Sequence, residues 1–184
     1  KGHVYREHNK YFLSNSTKLK VRQVLKLGNL ITLLNEFFNI LDKHLVCMIP
    51  IHSIAELYLL NNVCLIESDG VDAYKIYNFI EKSLDDAEEV KCILPFFHEN
   101  FNDKLNDLVK NNKKVEIMAP LGLFEVFDEK SEIEKLSFFS SEKTFLLIIT
   151  NESMILGLFK EDGSFDQNRL LTSKNIDSIN WANN

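Results

Sequence analysis

The stretch V-K-C-I-L-P-F-F-H-E-N-F-N-D-K-L-N-D-L-V-K-N-N-K-K-V-E-I-M-A-P (residues 90–120) decides the fold. Its apolar run from Val90 to Phe96 reads as a strand, His98 to Asn111 as a helix, and Val115 to Ala119 as a second strand. Connections this short around a helix predict a βαβ crossover, in which the two strands lie parallel. Upstream, a short helix is expected over Ile51–Leu60 and a strand over Val63–Glu67. A helix is expected over 71–84, with Val71, Tyr74, Ile76, Tyr77, Ile80 and Leu84 on one face. Downstream the chain is rich in strands: L-S-F-F (136–139), T-F-L-L-I-I-T (144–150) and M-I-L-G-L-F-K (154–160). Turns are expected at Thr150–Ser153 and Glu161–Ser164, and a closing helix over Lys174–Trp181. The fold class is therefore α/β, a mixed sheet flanked by helices over residues 49–184.

Ahead of this body stand two other elements. His3–His8 and Lys10–Leu13 read as a hairpin broken at Asn9, and Ser14–Thr17 supplies the cap of a long helix reaching about His44. Two strands are marginal alone, so the hairpin has to pack on something. In the helix, Val24, Leu27, Ile31, Leu34, Phe38, Leu41 and Leu45 are spaced alternately by three and four, an a/d seam of three heptads. A second stripe, Leu30, Leu33, Phe37 and Ile40, widens the apolar face. Such a face can meet a partner helix on one side and its own domain on the other, and a homodimer through the first stripe is the expectation. The chain thus divides into 1–16, 17–48 and 49–184.

The 184 residues carry 21 Lys+Arg and 27 Asp+Glu, net −6, with 45% hydrophobic and 26% charged residues, an ordinary globular composition. The charge is unevenly spread. Residues 1–30 hold seven bases (Lys1, Arg6, Lys10, Lys18, Lys20, Arg22, Lys26) against Glu7, net +6, which leaves −12 on the remainder. An acidic body is repelled by nucleic acid, whereas a basic end attached to it is not. No apolar run approaches a membrane span, and the polar opening residues lack a secretory h-region. Cys47, Cys64 and Cys92, odd in number and scattered, fit buried reduced thiols of a cytoplasmic protein.

Catalytic signatures are missing: there is no G-x-G-x-x-G, P-loop, H-E-x-x-H or G-x-S-x-G, and the five histidines show no metal-ligand spacing. Paired acids at Asp85-Asp86 and Glu88-Glu89 read as a solvated charge run. No cofactor, metal or catalytic residue is expected, and the chain is not expected to be an enzyme. A binding site is another matter. Ligands of open α/β sheets sit beyond the carboxyl ends of strands, facing helix N-termini. Phe96, Phe97 and His98 are expected to border such a pocket with Pro120, Thr150 and Ser153.

From about Ile49 to Trp181 the order of segments resembles the C-terminal domain of methanogenesis-type archaeal transcriptional regulators. The residues carrying the resemblance are Ile49-Pro50, V-K-C-I-L-P-F-F-H (90–98), V-E-I-M-A-P (115–120), S-M-I-L-G-L-F-K-E-D-G-S-F-D (153–166) and Asn180-Trp181. That family joins an N-terminal winged helix-turn-helix domain to a C-terminal signalling domain. The resemblance implies that V-Y-R-E-H-N-K-Y-F-L-S (4–14) is the wing hairpin, with Arg6, His8, Asn9 and Lys10 facing DNA phosphates. It implies DNA and a small-molecule effector as partners, and no membrane. The recognition helix would precede the wing, so the chain, which begins at Lys1 without an initiator Met, is expected to be a truncated regulator. A weaker likeness runs to phospholipase-D-like domains, but their H-x-K-x-x-x-x-D motif is absent: Glu99-Asn100 follow His98, and Ser53-Ile54 follow His52. The alternatives to a regulator are a ligand-free protein-interaction module and, least favoured, a phosphodiesterase.

Overall fold

The computed structural model describes residues 2–60, 62–85, 87–140 and 145–184. It opens with the expected hairpin, β1 (Val4–Glu7) against β2 (Lys10–Leu13). His8 and Asn9 join them at φ 47° and 60°, the two left-handed positions that a two-residue hairpin turn demands. Helix α1 (Asn15–Glu36) follows, capped by the Ser14 hydroxyl, which accepts from the Thr17 amide at 3.2 Å. At Phe37 the backbone leaves the helical region (φ −108°, ψ 24°) as its ring turns into the core, and a further turn, α2 (Phe38–Leu41), begins. The single helix expected to reach His44 is therefore two segments.

The chain continues through a 3-10 turn (Val46–Met48), α3 (Ile51–Ala55), a second 3-10 turn (Leu57–Leu60), β3 (Cys64–Glu67), α4 (Lys75–Asp85), β4 (Glu89–Ile93), α5 (Glu99–Lys110) and β5 (Lys114–Pro120). After a 3-10 turn (Leu121–Leu123) come α6 (Phe124–Lys130), β6 (Lys135–Phe139), β7 (Leu146–Thr150), β8 (Met154–Gly157), β9 (Arg169–Ser173) and α7 (Ile176–Asn183). The seven strands β3 to β9 form one mixed sheet in the order β3-β9-β8-β7-β4-β5-β6. β4-β5 and β5-β6 are parallel and the other pairs antiparallel, so the βαβ crossover of residues 90–120 stands as expected.

Three readings need correcting. Helix α4 starts only at Lys75, because the Asp69 carboxylate accepts from the Val71 and Asp72 amides and turns the chain; Val71 and Tyr74 stay 99% and 72% exposed, off the buried face. Cys47 and Cys64 are exposed and only Cys92 is buried, where burial pushes its thiol well above the ordinary value. Helix α6 and strand β9 had no counterpart in the sequence reading. Asp86 of the paired acids and Thr144 at the head of T-F-L-L-I-I-T lie outside the described residues.

Strand alternation distributes the core. On one face α4, α5 and α6 bring Ile76, Ile80, Phe101, Leu105 and Phe127 onto Val90, Val115, Ile117 and Ile148. On the other, Leu33, Phe37 and Ile40 of the long helical arm and Trp181 of α7 cover Leu147, Ile149, Met154, Leu156 and Leu171. Among the described residues this second helical layer ends at the edge of β4, where Ile93 packs against it and the Lys91 ammonium donates to Asn183 of α7, so that β5 and β6 have helices on one face and an open trough on the other. Gly157 marks the tightest point of the first face: a Cβ there would lie 2.8 Å from Phe165 Cζ and 2.9 Å from Leu170 Cδ2. Because the Phe165 ring is held edge-on by Phe96 and Phe159, Gly157→Ala is expected to lose about 1–3 kcal/mol by overpacking in chemical denaturation.

Candidate functional site

The hairpin carries the basic tip. Arg6, His8, Asn9 and Lys10 are all exposed, with the Arg6 guanidinium donating to Asn9 Oδ1 at 2.5 Å and standing 5.8 Å from the centre of the Tyr11 ring. This pins the cation to the turn and leaves its remaining donors facing solvent. Behind the tip, His3 Nδ1 lies 3.0 Å from Thr17 Oγ1, and the Ser14 amide donates to His3 O, tying hairpin to helix.

Along α1 the two apolar stripes separate. Leu33 and Phe37 are buried, whereas Val24, Leu27, Ile31 and Leu34 are 41–68% exposed on a line about 120° away round α1, and Phe38, past the break at Phe37, is 56% exposed at the start of α2. Leu41 and Leu45, expected to continue this line, are half-buried; Leu41 packs on the second core, and Leu45 is outside the helix because the segment ends at Leu41. The free stripe on α1 is thus four residues rather than seven.

Where the arm meets the sheet domain, its end is locked. His44 and Asp166 are 7% and 2% exposed, with His44 Nε2 2.8 Å from Asp166 Oδ2 and Nδ1 2.5 Å from the Ile40 carbonyl. The Leu45 amide donates to Phe159 O, and Asp166 Oδ1 accepts from the Asn168 amide at 3.0 Å. Here the D-G-S-F-D turn (162–166) earns its residues. Gly163 sits at φ 82°, Ser164 donates to Asp162 from both its amide and its hydroxyl, holding that carboxyl below its usual range, and Asp166 points inward to the arm. Sequence spacing could not find this pair, since 122 residues separate its members.

The six residues expected around one pocket fall at opposite ends of the sheet. Phe96, Phe97 and His98 lie beyond the carboxyl end of β4, and Pro120 is the last residue of β5 beside it. Thr150 and Ser153 lie at the other end, because β7 runs antiparallel to β4 and pairs Thr150 with Val90. The two hydroxyl residues build their own turn: Thr150 Oγ1 accepts from the Glu152 and Ser153 amides and lies 3.1 Å from Ser153 Oγ. They line a small cavity of about 250 Å³ with Lys82 and Lys174. At the first end, Phe97 packs edge-on to Phe127 and Phe96 edge-on to Phe165, the residue next to Asp166. The His98 ring stacks 5.0 Å from Tyr77 and 4.2 Å from Phe101. Desolvation holds it below the ordinary histidine range against the pull of Glu81, and its Nδ1 is buried without a hydrogen-bond partner among the described residues.

Among the described residues no group of three or more His, Cys, Asp or Glu is placed to hold a metal ion, and no helix is long and apolar enough to cross a membrane. Residues 73–184 match the family model of the methanogenesis regulatory protein FilR1, middle domain. No curated protein sequence matches the chain. Among solved structures it is similar to TrmBL2, described as an archaeal chromatin protein with a novel mode of DNA binding, at 13% identity and a TM-score of 0.49 over 97% of this chain and 72% of that one. It is also similar to Nuc of Salmonella typhimurium, a phospholipase D family member, at 12% identity and a TM-score of 0.43 over 66% of this chain and 92% of that one. Neither likeness is close enough to carry an assignment of activity.

Proposed function

The chain belongs to the family of the methanogenesis regulatory protein FilR1, and from that premise we propose that it is the effector-sensing and dimerising portion of a transcriptional regulator. In this reading the hairpin is the wing of a winged-helix domain, and Arg6, His8, Asn9 and Lys10 meet DNA phosphates. The observation that carries the reading is the division of the long helix: Leu33 and Phe37 anchor it on the sheet domain while Val24 to Leu34 leave an apolar stripe free for a second protomer.

A small effector would engage the sheet domain at the carboxyl ends of β4 and β5, the end at which Phe96, Phe97, His98 and Pro120 stand. That end also holds the joint with the arm. Phe96 touches Phe165, Phe165 precedes Asp166, and Asp166 holds His44, so a displacement of Phe96 has a packed route to the helix. Coupling of this kind needs an effector whose affinity differs between two arrangements of the joint. Thr150 and Ser153, at the far end, have no part in that route. The dense packing of Phe96 and Phe97 favours a second reading, a ligand-free module that answers to a protein partner.

Sedimentation tests the dimer. Wild type is expected to sediment as a dimer and Leu34→Glu as a monomer, because a charge on the stripe cannot be desolvated; equal behaviour would remove the seam. A regulator carrying the complete winged-helix domain tests the sensing. Its operator affinity is expected to change about 5–150-fold with one member of a metabolite panel, and an unchanged affinity throughout would leave the interaction module standing.

A further inference from the structure

Among the described residues His44 alone of the five histidines has both ring nitrogens on oxygen. Nδ1 lies 2.5 Å from the Ile40 carbonyl and Nε2 lies 2.8 Å from Asp166 Oδ2. A backbone carbonyl and an ionised carboxylate only accept, whereas a neutral imidazole offers one N–H and one lone pair. On a neutral ring, one of the two contacts would set lone pair against lone pair. Both are made together only when two protons are present. Shifting the bridging proton onto Asp166 Oδ2 makes the pair neutral without changing that number. The two side chains are 2% and 3% exposed, so bulk water is not at hand to separate the opposed lone pairs.

We propose that this pair is a proton-operated latch between the helical arm and the sheet domain, closed while the ring holds both protons and loosened when one leaves. The contacts it governs are the ones that fasten the arm. His44 forms an antiparallel bridge with Lys160, the next amide, that of Leu45, donates to Phe159 O, and the Phe159 ring packs edge-on to Phe165. When the proton departs to a base in solution, one N–H···O bond breaks and a ring lone pair is left facing an oxygen. A cavity of about 510 Å³ borders both His44 and Asp166 and gives the proton its way out. Other charges near the pair are already engaged or exposed. Lys160 Nζ stands 4.0 Å from Asp166 Oδ1, Arg169 pairs with Glu67, Ser164 donates to Asp162, and Asp42, Lys43 and Glu161 are exposed. The closed latch holds a proton that a freed ring releases more readily, so closure weakens as pH rises, by at most about tenfold per pH unit for one proton. This input acts at the joint through which an effector is proposed to work, but it needs no effector and holds or fails apart from that reading.

The test uses the whole chain labelled with 15N, with the His44 ring assigned through bonds from its own backbone. In the closed joint both ring nitrogens are expected at the shift of protonated imidazole nitrogens. As pH rises, exchange of the Leu45 amide, corrected for base catalysis, is expected to accelerate by about tenfold per pH unit above the midpoint of the ring signal. The Ile148 amide, in the centre of the sheet, is expected to show no such step. The step is also expected to be missing from His44→Gln, which has no proton to lose. A single protonated nitrogen on His44 in the closed joint would overturn the latch. Leu45 protection that stays level across the titration of the ring would overturn it as well, leaving a static buried contact. Both of these readings are made on wild type, so they decide the matter even if the variant does not fold.

Discussion

Asp166→Ala is expected to lower the melting temperature by roughly 10 °C, the equivalent of about 3–5 kcal/mol in a domain of this size. The carboxylate is 2% exposed and holds His44 on one oxygen and the Asn168 amide on the other, with Lys160 Nζ at 4.0 Å. Removing it leaves the Nε2 edge of a buried imidazole without its partner and an amide without its acceptor, and both losses fall at one joint. The double variant His44→Leu, Asp166→Ala is expected to recover part of the loss, because an apolar replacement of both members removes the stranded polar group. Calorimetry of the four proteins gives the coupling directly. Additive losses would mean that the pair does not fasten the arm.

Trp181 is the second site of large effect. Its indole is 3% exposed, and its N–H donates to the Ser53 carbonyl at 2.8 Å, which fixes α7 to α3 beneath the second helical layer. Trp181→Ala is expected to destabilise by about 3–5 kcal/mol from lost packing alone. The unpaired Ser53 carbonyl adds to this if water cannot reach it. Trp181→Phe keeps most of the ring and loses the donor, so a smaller loss of about 1–3 kcal/mol is expected. Denaturant titration of the two variants separates packing from hydrogen bonding, and equal losses would assign the whole effect to the hydrogen bond.

Elements with a strong local pattern were legible in the sequence. The hairpin was marked by Asn9, the βαβ unit by apolar runs on either side of a helical period, and the start of α1 by Ser14. Elements held by distant partners were not. Helix α6 is seven residues long and is ended by Asn102 and Asn106 of α5, whose amides both donate to the Lys130 carbonyl. Strand β9 is a five-residue run with a neighbour on each side in the sheet, and nothing local marks it. The candidate site divided for the same reason. Strand direction decides which end of a sheet a residue occupies, and the antiparallel insertion of β7 beside β4 moved Thr150 away from His98. The His44–Asp166 joint was beyond reach because a buried pair leaves no spacing to read, although both residues were in plain view, one as an isolated histidine and the other at the end of a turn.

The sheet order bears on how the protein is made. Among the described residues strand β3 lies at the sheet edge and pairs only with β9, Cys64 opposite Thr172. During synthesis at about 5–20 residues per second, β3 leaves the ribosome roughly 5–20 s before the strand that completes it. For that interval Leu65 and Ile66 are an unpaired apolar edge, the kind of surface that chaperones bind and that aggregates recruit. The sheet can therefore close only once β9 is in place, and a ribosome stalled before Arg169 holds a chain that cannot finish folding.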